Sequence, residues 1–185
     1  MKKFLKLGTI ALLAGILAGV VGPGAAGAQT QQRIDAKKDW SIFLAEAEGQ
    51  KVCWIVSRPT KTAAFRNGRT VSVNRGDIYL MVSIRIYPNE PENNVVNEVS
   101  FLSGYPFKED SQVKASVGSK KFTLNTEGEN AWAESAEDDA ALVDAFRRGA
   151  RAKIEGVSSR GTKTVDTFSL SGFTAALEAA AALCK

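Results

Sequence analysis

The sequence predicts a mostly β protein: a β-sandwich of short strands with two helices, at about 136–148 and 173–184. Three observations carry this. Apolar residues alternate with period two over many short runs, as they do in strands with one face on a core. Glycine-bearing pairs punctuate those runs as hairpin turns. Two segments break the alternation and carry helix start and stop signals.

The chain opens with an export pattern. Met1–Lys6 hold three lysines, Leu7–Val21 are free of charge, and Gly22-Pro23-Gly24 leads into Ala26-Gly27-Ala28. This is a positive n-region, an apolar h-region and a small-residue cleavage site, so residues 1–28 read as a cleaved signal peptide. The run is short for a membrane span, which takes about 20 residues, and no later run is longer. The remaining chain, with no transmembrane anchor, is of single-domain length. Gly22–Gly27 fits G-x-G-x-x-G by letter. It follows no strand and opens no helix, which removes the dinucleotide reading.

Residues 29–38 are polar and read as a flexible start; 39–185 read as one domain. Trp40, Ile42 and Leu44 alternate with Ser41 and Phe43, and Val52–Val56 is strand-like. Val71 and Val73 flank Ser72. The strongest strand is Asp77–Tyr87: Ile78, Leu80, Val82, Ile84 and Ile86 form one face, and Tyr79, Met81, Ser83, Arg85 and Tyr87 an amphipathic second face. Val95–Phe101, Val113–Val117, Lys121–Asn125, Arg151–Ser158 and Thr164–Leu170 complete the strands. Asn67-Gly68, Gly118-Ser119 and Arg160-Gly161 supply turns, and Tyr87–Asn94, with two prolines, is an exposed loop.

The first helix has Ser135 as cap, acids at Glu137, Asp138 and Asp139, Arg147 and Arg148 in its last turn, and Gly149 after it. The second starts at Phe173 with Ser171 as a candidate cap. It carries Phe173, Leu177, Ala180, Ala181 and Cys184 on one face.

Only Cys53 and Cys184 occur. In an exported chain one long-range disulfide is the simplest reading. Two separate buried thiols are the alternative. A redox or metal pair lacks the C-x-x-C spacing and the further ligands that zinc requires.

Composition removes much chemistry. There is no histidine, which eliminates Ser-His-Asp triads, Cys-His nucleophiles and histidine metal sites. Ser111-Gln-Val-Lys114 fits S-x-x-K but lacks the companion motifs of penicillin-recognising enzymes. Glu137–Asp139 are explained by the helix dipole. No catalytic residue, metal site or cofactor is expected. The chain is formally +4, but Lys2, Lys3 and Lys6 supply three of those charges and leave with the leader. Overall charge thus gives no case for nucleic acid. Gly49–Gly76 is different: it has no acid and six cations. Solvated hairpin faces explain such a run. The sharper reading is a patch of Arg58, Lys61, Arg66 and Arg69 for an anionic partner.

Several stretches, in order, resemble the invasion-associated locus B family of exported alphaproteobacterial proteins. They are Asp39-Trp40-Ser41, Cys53–Thr60, Arg75-Gly76-Asp77, Glu98–Phe101, Gly104–Phe107, Ser135–Asp139, Ser158–Gly161 and Thr167–Ala176. The resemblance implies an immunoglobulin-like β-sandwich, located in the periplasm or at the surface of a Gram-negative cell. It implies no catalytic residues, and the family is named for a role in entry into host cells. The acidic loop Tyr87–Asn94 departs from its usual pattern. The expectation is a non-enzymatic binding protein of the envelope; the alternative is a surface-acting adhesion factor, and a periplasmic hydrolase is the weakest reading.

Overall fold

The computed structural model describes residues 31–47 and 49–185. The signal peptide expected at 1–28 lies outside the described residues. Twelve strands follow one another as β1 (Gln32–Lys37), β2 (Trp40–Ala47), β3 (Gln50–Ser57), β4 (Lys61–Arg66), β5 (Arg69–Thr70), β6 (Tyr79–Ile86), β7 (Val95–Leu102), β8 (Gln112–Val117), β9 (Lys120–Glu127), β10 (Asn130–Trp132), β11 (Arg151–Val157) and β12 (Lys163–Ser169). Helix α1 (Ala136–Arg148) lies between β10 and β11, and α2 (Phe173–Leu183) follows β12.

All pairings are antiparallel, and the hydrogen-bonded order is β1-β2-β3-β6-β7-β10-β9-β8-β11-β12-β4-β5. Two halves, β1–β2–β3–β6–β7 and β9–β8–β11–β12–β4–β5, are joined through the short β10. Their inner faces meet where Phe101 of β7 packs edge-on against Phe168 of β12. This is the mostly β sandwich with two helices that the alternation predicts.

The predicted faces hold. Leu80, Val82 and Ile84 of β6 are buried, while Tyr79, Met81, Ser83 and Arg85 on the other face are half-buried. Asn67 and Gly68 both take positive φ in the β4–β5 turn, as a tight hairpin with this pair requires. Ser135 Oγ accepts from the Asp138 backbone N–H at 3.2 Å and caps α1.

Helix α2 packs on the inner face of the first half, with Phe173 edge-on to Trp40 and to Phe146 of α1. Phe173, Leu177, Ala180 and Cys184 are buried as the helical phase requires. Cys184 is disulfide-bonded to Cys53 of β3, closing a loop with sequence separation 131. On the chain-entropy account such a loop contributes about 5 kcal/mol.

Three expectations are corrected. Within the start expected to be flexible, Gln32–Lys37 form β1, an exposed edge strand held by main-chain pairing to β2; an edge strand needs no apolar alternation. Val71–Val73 are not in a strand, because the chain there leaves the sheet for the loop that carries Arg75. Gly149 ends α1 as expected: its N–H donates to Phe146 O, and a Cβ there would lie 2.3 Å from Val117 Cγ1, so packing also demands the glycine. Ser171 does not cap α2; the cap is Gly172 at φ 90°, where a Cβ would meet Lys37 O at 2.0 Å.

Candidate functional site

The loop between β5 and β6 is fixed by one side chain. Arg75 donates from Nη1 and Nη2 to Asp166 Oδ1 and Oδ2, both at 2.8 Å. Its Nε and Nη2 also donate to the Ser103 carbonyl at 3.0 and 2.6 Å. The guanidinium lies over the Tyr105 ring, 4.8 Å from its centroid. The Asp166 side chain is fully buried on β12 and Arg75 is nearly so. Burial pushes the Asp166 carboxyl up and Arg75 pulls against it. Alongside, Gly76 N–H donates to Gly104 O at 2.9 Å, and a Cβ on Gly104 would meet Gly76 O at 2.6 Å. Two loops therefore touch backbone to backbone, a contact only glycine permits.

These loops floor an open cleft of about 590 Å³. Arg66, Arg75, Tyr105, Glu129, Arg160 and Thr162 are among its lining. Arg66 donates to Thr162 Oγ1 from Nε and Nη2, at 3.3 and 2.7 Å. Arg66 and Arg160 are exposed, and among the described residues neither is ion-paired, whereas Arg75 is neutralised by Asp166. Among the described residues, the cleft lining thus sets two guanidinium groups without an ion-pair partner against one carboxylate, Glu129.

The four cations of the expected patch are distributed as follows. Arg66 and Arg69 are directly opposite each other on β4 and β5. Lys61 sits at the far end of β4 and, an odd number of positions from Arg66, on the opposite face. Arg58 occupies the corner after β3, where it pairs with Asp77 at 3.1 Å, stacks over Tyr79 and donates to its hydroxyl. Arg160, in the β11–β12 turn, joins Arg66 instead. Its charge falls outside the acid-free run, and only the pairing of β12 with β4 brings it near.

A second opening lies on the outer face of the first half, a shallow groove of about 450 Å³. Trp54 of β3 and Trp132 of β10 are among its lining, with Met81, Ser83, Arg85, Glu98, Ser100 and Asn130. Trp54 is stacked on Phe43, with centroids 5.3 Å apart and planes 10° apart. A bulge in β7 opposite Ser83/Ile84, with Asn97 at φ 63°, interrupts the register. Bulges re-aim neighbouring side chains. Here Glu98 accepts from both terminal nitrogens of Arg85, at 2.7 and 2.8 Å, and from Ser83 at 3.3 Å. The Arg85 hydrogen bonds hold the Glu98 carboxyl below its usual range, and those same bonds raise Arg85. Both groups stay charged.

Behind this bulge sits Asp139 of α1. Its Oδ1 accepts from the Val99 backbone N–H at 2.8 Å, next to the residues of β7 that β10 covers. Burial pushes this carboxyl up to about 6, with Glu98 and Asp138 adding like charge. The acids of the first turn thus divide: Glu137 and Asp138 are exposed near the helix start, and Asp139 satisfies a strand. That role was not visible from helix signals.

No cluster of three or more potential metal ligands occurs among the described residues. No helix among them is long and apolar enough to cross a membrane.

The model of the Invasion associated locus B (IalB) protein family matches residues 40–181. The chain belongs to the IalB family. The match runs from the first residue of β2 into α2, so it takes in every strand but β1 and all of the arginine cleft. Three of the stretches that carry the sequence resemblance, Arg75–Asp77, Gly104–Phe107 and Ser158–Gly161, converge on the arginine cleft of this IalB protein. No curated protein matches the chain.

Proposed function

We propose that this IalB protein is an exported, non-enzymatic binding protein of the Gram-negative envelope, acting in the periplasm, and that its arginine cleft takes an anionic group. The observation that carries the reading is the pair of exposed guanidinium groups, Arg66 and Arg160, at the mouth of a cleft whose third arginine is neutralised by a buried carboxylate. Guanidinium groups match phosphate and carboxylate with paired N–H donors. Arg69, opposite Arg66, extends the field. An anionic envelope component such as lipopolysaccharide, or an acidic glycan, suits that chemistry. The export pattern of residues 1–28 and the disulfide support an oxidising compartment.

The test is binding of the full chain to lipopolysaccharide micelles at low and high salt. Arg66→Gln combined with Arg160→Gln should weaken binding about tenfold or more and flatten its salt dependence. Unchanged, salt-insensitive binding would remove the cleft from consideration. The second reading, adhesion at the cell surface, is favoured only by the family's name. Protease treatment of intact cells separates the two: a periplasmic protein is spared and a surface protein is cut.

A further inference from the structure

The outer-face groove differs in kind from the cleft. Among the described residues its only charged lining groups are Arg85 and Glu98, and these neutralise each other through two parallel hydrogen bonds. Two indoles, Trp54 and Trp132, line it. Trp54 aligns with Ser83 and Glu98 across β3, β6 and β7, and Trp132 aligns with Ser100 and Met81. Trp54 and Trp132 are therefore three strand steps apart, about 14 Å, and offset by about 7 Å along the strands. The lining also carries hydrogen-bonding groups: Ser83, Ser100, Asn130 and the Arg85–Glu98 pair.

We infer that this groove binds an uncharged oligosaccharide chain. Sugar rings present flat C–H faces that stack on indoles and equatorial hydroxyls that require donors and acceptors at the ring edge. The groove supplies both, at a separation that spans several rings, and it is open along its length as a polymer requires. Its charge balance is the deciding point. A net-neutral surface does not attract anionic lipid or nucleic acid. Its apolar lining of Ala45, Val52, Trp54, Met81 and Trp132 is interrupted by Ser83, Ser100 and the Arg85–Glu98 pair. Phe43, stacked behind Trp54, keeps that indole from turning, so little side-chain freedom is lost on binding.

The experiment is a titration of the full chain with β-1,4-linked N-acetylglucosamine, β-1,4-linked glucose and α-1,4-linked glucose oligomers, from disaccharide to hexasaccharide. Binding is followed calorimetrically and by the indole N–H signals in the nuclear magnetic resonance spectrum. At least one series should bind, more tightly with length, with no loss at high salt. The signals of Trp54 and Trp132 should move and that of Trp40, which is buried, should not. The series that binds tells cell-wall glycan from glucan. Trp54→Ala and Trp132→Ala should each weaken binding about tenfold, while Trp132→Phe, which keeps an aromatic face and the fold, should retain it within about threefold. Arg66→Gln with Arg160→Gln should leave it unchanged. Absence of binding by all three series, or binding indifferent to both indoles, would overturn the proposal.

Discussion

Two arginine–carboxylate pairs in this molecule share one geometry and sit in opposite surroundings. Arg75 and Asp166 meet through two hydrogen bonds inside the fold, with 8% and 0% of their side chains exposed. Arg85 and Glu98 meet through two hydrogen bonds on the outer face, 30% and 27% exposed. The first pair spends nearly every donor within the protein: its Nε goes to the Ser103 carbonyl and its ring-facing surface to Tyr105. The second lies partly exposed among the lining of the groove. Bidentate geometry alone therefore does not tell a structural pair from a solvent-facing one. Exposure does.

Breaking the sealed pair should have the largest effect. Arg75→Ala leaves Asp166 buried and unpaired, a loss of about 3–5 kcal/mol, readable as a lower denaturant midpoint. Replacing both members together, as Arg75→Met with Asp166→Leu, should recover much of that loss, since a buried ion pair offsets its own desolvation poorly. If the single and double variants are equally unstable, the pair has a role beyond charge compensation.

Asp139, which feels the open pair through Glu98, comes next. Its carboxyl is raised from 3.8 to about 6 in the folded state. Between those values the folded protein binds the extra proton, so this group stabilises the fold relatively more as pH falls from about 6 towards 4. At neutral pH the folded state carries the charge unfavourably. Asp139→Asn keeps an acceptor for Val99 N–H and should gain roughly 1–3 kcal/mol at pH 7, with the gain vanishing near pH 4. A constant difference across that range would show that Asp139 does not titrate as described.

Breaking the open pair should do least. Arg85→Ala leaves Glu98 partly hydrated and should lower stability by about 1 kcal/mol. A loss as large as that of Arg75→Ala would erase the distinction between the pairs.

The first half of the sandwich, apart from the edge strand β1, was readable because β6 and its neighbours alternate cleanly. Leu80, Val82 and Ile84 face the core, and the amphipathic Tyr79–Arg85 face forms the half-covered outer surface. Helix α1 was legible to its ends because Ser135 and the terminal charges are local signals. The disulfide was legible from two cysteines and a helical phase. What was not legible rests on distant pairing. Arg160 meets Arg66 only because β12 lies beside β4. Arg75 finds Asp166 across 91 residues, and Asp166 sits in a strand whose alternation gave no reason to expect a buried acid. Trp54 and Trp132 share a groove through three intervening strand contacts. The β7 bulge that turns Glu98 towards Arg85 depends on Asn97 adopting positive φ, a preference too weak to read within an alternating run.

The distinction between the pairs can be measured at the arginine Nε–H groups themselves. In a nuclear magnetic resonance spectrum of the full chain, the Arg75 Nε–H should be protected from solvent exchange and unmoved by the oligosaccharide that binds. The Arg85 Nε–H should exchange faster and shift on saturation with that sugar. Movement at Arg75 with none at Arg85 would contradict the account.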